Sequence, residues 1–350
     1  MEKHDVVIIG GGIAGLTLSK FLAEYGIDFV LLEEHNDFFK KACGEGITRF
    51  IAGYDFFDLY ESKAGIEKYI EETYIYTKYG ILQLYMPVLM TSKRTIEKEI
   101  ARQAMKRGAD IRMNERVEKI EWNGKFILQP QNIEAKFLVG ADGFFSITRK
   151  FLGKGKLRYA IAAEGLSNEI ELDDEKIHVE MKKSVVKYGY SWFFPKREKW
   201  NIGIGSISMK EFKKAFNEFK KKYSVERWKA GYIPASKPVK PYGKNAILVG
   251  DAASQTITSI GAGNMPSMIC AKIAADVIKK FSSHDFRGID TKEYGKALRP
   301  MTKMLKQDHN LAFAMHFIIR NEYLIHKILK KYIQQASQYY KKLEREKGSI

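Results

Sequence analysis

DVVIIGGGIAG, residues Asp5 to Gly15, is the stretch whose reading decides the fold. Asp5 to Ile9 is a short apolar run of the kind that forms a buried parallel strand. Gly10, Gly12 and Gly15 then supply the G-x-G-x-x-G spacing. The next residues predict a helix that opens at Ile13 and Ala14, buries Leu16, Leu18, Phe21 and Leu22, and stops at Gly26. A second strand, Phe29 to Leu32, leads to Glu33. The glycines divide the work between them. Gly10 permits the tight turn, Gly12 lets backbone approach a pyrophosphate, and Gly15 lets helix and strand pack closely. The helix N-terminus turns unpaired N–H groups and a positive dipole end toward the phosphates. Glu33 follows Gly10 by about twenty residues, the offset of an acid that accepts ribose hydroxyls. Glu34 is the neighbouring alternative. Strand, triplet, helix, strand and acid in register read as a Rossmann-type dinucleotide site.

Two segments further along separate one dinucleotide from another. FLVGADGFFSITR, Phe137 to Arg149, carries Gly140, Asp142, Gly143, Ser146 and Arg149 behind an apolar strand. NAILVGDAAS, Asn245 to Ser254, sets Gly250, Asp251 and Ala252 at the end of another. By composition alone, each Asp-containing turn reads equally well as a helix N-cap. Together and in this order they resemble the fingerprints of the para-hydroxybenzoate-hydroxylase-like FAD superfamily. The resemblance implies noncovalent FAD. Asp251 would meet the ribityl chain, the helix N-terminus after it would face the isoalloxazine, and Asp142 would lie structurally near the pyrophosphate. Arg94, in TSKRTIEKEIARQA, falls where that family has a cofactor-contacting arginine opening a helix. The implied cofactor set also takes in Cys43, Gly44, Val117, Gly261, Ala262 and Gly263.

Between these fingerprints the pattern changes. RYAIAAEGL, NEIELDD, KIHVEMK, YGYSWFFP and NIGIGSIS, within 158–208, are short alternating runs expected to form an antiparallel sheet, to which Ile81 to Met86 would add strands. Tyr190-Ser-Trp192-Phe-Phe194-Pro195, followed by Asn201-Ile-Gly203-Ile-Gly205, closely resembles the Y-x-W-x-F-P and N-x-G-x-G motifs of the geranylgeranyl reductase family. Cys43-Gly-Glu45-Gly-Ile47 resembles that family's cysteine loop. Members reduce isolated C=C bonds of prenyl chains, including archaeal ether lipids, with reduced FAD as hydride source. Alternation sends Tyr190, Trp192 and Phe194 to one face, either as core or as the wall of a tunnel for an apolar chain. The resemblance favours the tunnel and adds Gly261 to the substrate contacts. It brings Cys43, Glu45, Tyr190 and Trp192 to the reacting centre, with Cys43, Glu45, Tyr190 or an ordered water as proton donor. Ser254 and Thr258 depart from the family's usual Gly and Pro beside the flavin.

The expected organisation is α/β, α+β overall. A discontinuous FAD-binding domain takes 1–50, 88–152 and 240–285. An antiparallel-sheet substrate domain takes 51–87 and 153–239, and a helical region takes 286–350. In that region Ile318, Tyr323, Ile325, Leu329, Tyr332, Ala336, Tyr340 and Leu343 form an apolar stripe beside a lysine-rich face. The stripe is expected to pack on the protein, with contact to an anionic membrane as a secondary role. No secretory signal and no membrane span is expected, and Cys43 and Cys270 make neither a disulfide framework nor a zinc site. The expected compartment is the cytoplasm, with peripheral contact at the inner face of the cell membrane as part of the same expectation. The 59 Lys and Arg against 42 Asp and Glu give a net charge of +17, a field that attracts anionic lipid or an acidic protein. No nucleic-acid-binding motif accompanies it. The electron donor is expected to be an acidic ferredoxin or NAD(P)H. A flavin monooxygenase or halogenase shares the same fingerprints and is the rival reading; a noncatalytic prenyl carrier is the third.

Overall fold

The computed structural model describes residues 1–319 and 321–348. The first sheet is built on parallel strands in the order Ala246–Leu248, Ile133–Gly140, Glu2–Ile9, Phe29–Glu33 and Asp110–Met113. Val6 to Ile8, Phe137 to Val139 and Ile247 are almost completely buried, because helices and loops cover both faces. Helices Ile13–Glu24, Lys93–Lys106 and Asn264–Ser282 pack together over one face, as the expected Rossmann unit requires. Four chain segments leave this sheet at the same edge, the C-terminal ends of its strands: the glycine loop after Ile9, Glu33, Ala141-Asp142 after Gly140, and Val249-Gly250-Asp251 after Leu248. That edge is where an open α/β sheet binds ligands.

The second sheet has eight strands in the order Lys229–Pro234, Tyr159–Ser167, Trp200–Ser206, Gly189–Pro195, Lys176–Glu180, Ile66–Thr77, Gly80–Thr91 and Gly46–Thr48. Its neighbours are antiparallel except where Lys176–Glu180 runs parallel to Ile66–Thr77. One face packs against the helix Met209–Lys222 through Phe193, Ile202, Ile204, Phe212 and Phe219. The other face looks toward the dinucleotide edge of the first sheet.

Three expectations change. Asn168 to Asp174 is a loop, not a strand; its acidic residues gain nothing from a sheet face. The hairpin strand runs on to Thr91, and Gly46–Thr48 pairs with it, so the second sheet reaches beyond 51–87 on both sides. In the C-terminal helix Glu322–Lys347, Leu329 and Ile333 are buried against Ile75, Leu82 and Met315, while Tyr323 and Tyr332 of the expected stripe are about half exposed. The helix packs on the outer hairpin, as expected, but along a line rotated toward Ile333.

Candidate active site

A cavity of about 1040 Å³ lies between the two sheets, at the upper end of ordinary ligand sites. At one end stands the glycine loop. Gly10 has φ +105, and a Cβ on it would meet the backbone of Ala141. A Cβ on Gly15 would overlap the carbonyl of Gly10, so strand and helix touch there as expected. Beside Gly12 there is open space, the room a pyrophosphate needs. Glu33 is buried below the loop, with one carboxylate oxygen accepting from Gly11 N at 2.5 Å and the other from His35 N at 2.9 Å. Glu34 also lines the cavity but is exposed, with Arg116 3.6 Å away.

Asp142 Oδ2 accepts from Thr148 N at 3.0 Å, capping the short helix that follows. Its Oδ1 is buried without a protein partner while the residue lines the cavity, and burial raises its carboxyl above the usual range. A buried orphan acceptor beside a glycine loop is a place where a bound ligand completes the hydrogen bonding. Arg149 ties this turn to the second Asp turn: Nη1 donates to Ala252 O at 3.2 Å and Nη2 to Phe144 O at 2.6 Å. Asp251 lines the cavity and pairs with Lys41. Gly250 lies behind it, with φ +66 and its N–H donating to Gln255 Oε1 at 2.7 Å. Gly250 to Ala253 forms a single 3₁₀ turn, and the long helix begins only at Asn264. Gly261, Ala262 and Gly263, which precede it, line the cavity. The helix N-terminus that follows Asp251 is thus that of Asn264–Ser282, at the end of that loop. These residues fit FAD: an open glycine loop, a buried acid beneath it, an orphan carboxylate oxygen and a helix N-terminus converge on one space. Val117, Ile13, Ala14 and Gly44 share it.

Arg94 departs from expectation. Ser92 caps the helix Lys93–Lys106, but Arg94 turns outward, is exposed, and pairs with Asp37. Lys93 faces the cavity instead, buried, with its Nζ 2.9 Å from Glu97 and over the Phe39 ring. The first helical turn thus directs Lys93, and not Arg94, into the cavity lining.

Beyond the cofactor end, Tyr190, Trp192 and Phe194 line the same cavity. They share the sheet face that alternation assigned them, while Phe193 joins the core on the other side. The two later glycines explain the motif's shape. A Cβ on Gly203 would fall inside the Trp192 indole, and one on Gly189 would overlap Gly205 O. A Cβ on Gly44 would meet Phe194 at 3.0 Å, so the Cys43 loop lies directly on the aromatic wall. Tyr190 O–H donates to Ile260 O at 2.6 Å, and burial raises its phenol above the usual range. Past these rings the lining is mainly apolar, Ile75, Leu84, Met86, Val88, Ile177 and Val179, with Thr73 the polar member of the same strand face as Ile75. Met181 lines the cavity too, and Met315 and Leu329 pack in one cluster with Ile75 and Leu84 without lining it themselves.

Cys43 lines the cavity half-buried, its Sγ accepting from Glu45 N at 3.3 Å and lying 3.7 Å from Asn264 Nδ2. Glu45 sits at φ +60, an uncommon conformation for a residue with a side chain. Several bonds hold it there. Its carbonyl accepts from Thr91 N at 3.0 Å, Oε1 from Lys93 N at 2.8 Å, and Oε2 from Lys196 Nζ at 2.9 Å. Both carboxylate oxygens are therefore occupied by N–H donors. This makes Glu45 a clamp on the Cys43 loop as well as part of the cavity lining. Lys196, buried at the end of the aromatic motif, is invisible in the sequence because nothing local distinguishes it from the chain's many surface lysines.

Comparison with known proteins agrees with this geometry. A model described as "FAD binding domain" matches residues 3–163, and one described as "Geranylgeranyl reductase catalytic domain" matches residues 159–236. The chain is 26% identical over 323 residues to digeranylgeranylglycerophospholipid reductase of Methanocaldococcus jannaschii, covering 84% of this chain and 81% of that one. Among solved structures it superposes on a geranylgeranyl bacteriochlorophyll reductase-like protein of Thermoplasma acidophilum, with TM-score 0.79 and 21% identity over 96% of this chain and 92% of that one. It also superposes on a probable FAD-dependent monooxygenase of Pseudomonas aeruginosa, with TM-score 0.73 and 14% identity over 94% and 100% of the two chains. The protein is thus an FAD-binding oxidoreductase with a Rossmann-type unit and a second, largely antiparallel sheet facing it. Within that class it is similar to the geranylgeranyl reductases, whose catalytic-domain model matches residues 159–236.

Proposed function

We propose that this protein saturates C=C bonds of geranylgeranyl chains carried on ether lipids. The observation that carries this reading is the continuity of the cavity from the glycine loop, past Tyr190, Trp192 and Phe194, into a channel lined mainly by aliphatic side chains. A small aromatic substrate has no use for such a channel; a prenyl chain does. Reduced FAD, when bound, supplies hydride to one alkene carbon. The chain's own contribution is to hold the alkene and exclude water, because an unactivated C=C offers no carbonyl for side chains to polarise. Tyr190 and Trp192 flank the reacting region, and Tyr190 keeps its hydroxyl on Ile260 O. With Glu45 clamped, Cys43 is the protein group best disposed to hold the proton for the second carbon.

The test uses FAD-loaded protein reduced anaerobically with dithionite and then given a digeranylgeranylglycerophospholipid. The expected result is return of the oxidised flavin band with lipid mass rising in two-dalton steps, one hydride and one proton per bond. Flavin that stays reduced until oxygen enters would favour the monooxygenase reading.

Peripheral membrane contact belongs to the same proposal. No described helix is long and apolar enough to cross a membrane. Phe313, Phe317, Ile318, Tyr323 and Leu324 are nonetheless exposed around the π-turn Ala314–Ile318, with Tyr188 stacked on Phe317. Rings and aliphatic groups on a strongly basic protein suit the surface of an anionic bilayer. Cosedimentation with anionic vesicles is expected at low salt; none at low salt would reject the contact. The electron donor is proposed to be an acidic ferredoxin, with NAD(P)H as the alternative.

A further inference from the structure

Glu164 lies on the second strand from the edge of the second sheet, on the face that looks into the site, yet it does not line the cavity. Register sets it opposite Gly203 on one side and Lys229 on the other. It is 6% exposed and forms no ion pair within 4 Å among the described residues. Its Oε2 accepts instead from Asn201 Nδ2 at 3.1 Å.

Asn201, only 1% exposed, is fully engaged. Nδ2 also donates to Cys43 O at 3.2 Å, and Oδ1 accepts from Trp192 Nε1–H at 2.9 Å. One amide therefore joins the Cys43 loop to the aromatic wall. The glycines make this possible, since Gly203 leaves room for the indole and Gly44 lets the loop rest on Trp192 and Phe194. An amide carrying both donor and acceptor contacts has two orientations related by a flip. Only one of them presents N–H to Cys43 O and oxygen to the indole. The Glu164 oxygen on the Nδ2 side reinforces that orientation, because it gives the amide N–H a second buried acceptor beside Cys43 O.

We infer that Glu164 is a positioning residue that fixes the Asn201 amide, and through it the Cys43 loop and the Trp192 ring, against the substrate end of the cavity. The inference rests on the proposed reductase reading for its role in turnover, but the geometry has its own readout. Cys43 is half-buried and Cys270 is fully buried, so the first thiol reports the loop and the second reports the fold.

The experiment is alkylation of the full-length protein with iodoacetamide, followed by mass spectrometry, for wild type, Glu164→Leu and Glu164→Gln. Leucine removes the acceptor and frees the amide. Cys43 alkylation is expected to rise on the order of tenfold, the factor carried by losing one buried hydrogen bond, with Cys270 unmodified. Glutamine keeps an acceptor oxygen for Asn201 and is expected to restore a rate within about twofold of wild type. If Cys43 reacts at the wild-type rate in Glu164→Leu, or as fast in Glu164→Gln as in Glu164→Leu, the inference is overturned. Should Glu164→Leu expose Cys270, Asn201→Ala carries the same comparison, since it removes the bond to Cys43 O directly; unchanged Cys43 reactivity there overturns the inference too. Lipid turnover is measured in parallel and is expected to fall in kcat for Glu164→Leu. Absence of turnover in wild type would count against the reductase reading alone, because the alkylation result does not depend on it.

Discussion

At the scale of single residues, the site is governed by which polar groups are buried and what they are given. Glu164 has the sharpest consequence. Burial raises its carboxyl from 4.5 to about 7, with Glu45 adding to the rise and Lys229, Lys196 and the Asn201 bond opposing it. The folded state therefore binds this proton more tightly than the unfolded chain. Its contribution is intact below pH 4.5 and is lost as pH climbs through about 7. The size follows from the two values, about 3 kcal/mol at most. Glu164→Gln has nothing to titrate. Denaturant unfolding across this range should find the variant gaining on wild type as pH rises, by up to that amount; parallel stability curves would show that Glu164 is not held in its neutral form. Gly203 is the second such position. Gly203→Ala puts a methyl inside the Trp192 ring, so ring or strand must move, at about 1–3 kcal/mol. FAD binding, at the other end of the cavity, should persist while lipid turnover falls; equal loss of both would mean the strain spreads across the site.

At the scale of elements, what was legible in the sequence was what local chemistry dictates. The glycine loop, its helix and Glu33 follow from steric and dipole requirements that are the same wherever a strand turns into a helix over phosphate. Strand alternation correctly sent Tyr190, Trp192 and Phe194 to one face, and the run containing Gly203-Ile-Gly205 is a strand as expected. What failed depended on rotation or on distant partners. Whether Lys93 or Arg94 faces inward is set by how the helix sits against the Cys43 loop, and Lys196, Glu164 and Asn201 acquire their roles only when three strands and a loop meet. The C-terminal helix shows the same limit: periodicity found an apolar stripe, but the hairpin beneath decides which part is covered. Leu329 and Ile333 pack in one cluster with Ile75, Leu82 and Met315, of which Ile75 lines the channel. Leu329→Ala should cost about 2–4 kcal/mol. Because the cavity it leaves adjoins the channel, lipids with a longer prenyl chain should lose less activity than shorter ones; a uniform loss would separate this helix from substrate binding.

At the scale of the whole molecule, charge and architecture act together. The first sheet supplies a dinucleotide edge common to enzymes of several chemistries, and the second sheet decides what reaches it, so function is carried by the space between them. The net charge of +17 surrounds that space without being used up inside it: the ion pairs at the site, Lys196 with Glu45 and Lys93 with Glu97, are internally balanced. The excess positive charge is therefore available for long-range attraction, which raises the encounter rate of an acidic protein and is screened within about 8 Å at physiological salt. Flavin reduction by reduced ferredoxin should consequently slow several-fold between low salt and about 0.5 M, in its second-order rate constant and not in the rate at saturation. A small nicotinamide donor meets the same field but carries few charges and should show a weaker dependence. Stopped-flow reduction of the FAD-loaded protein by each donor across ionic strength tests this. A ferredoxin rate that does not change with salt would mean that the basic surface serves the lipid bilayer alone, leaving electron delivery to a contact that charge does not steer.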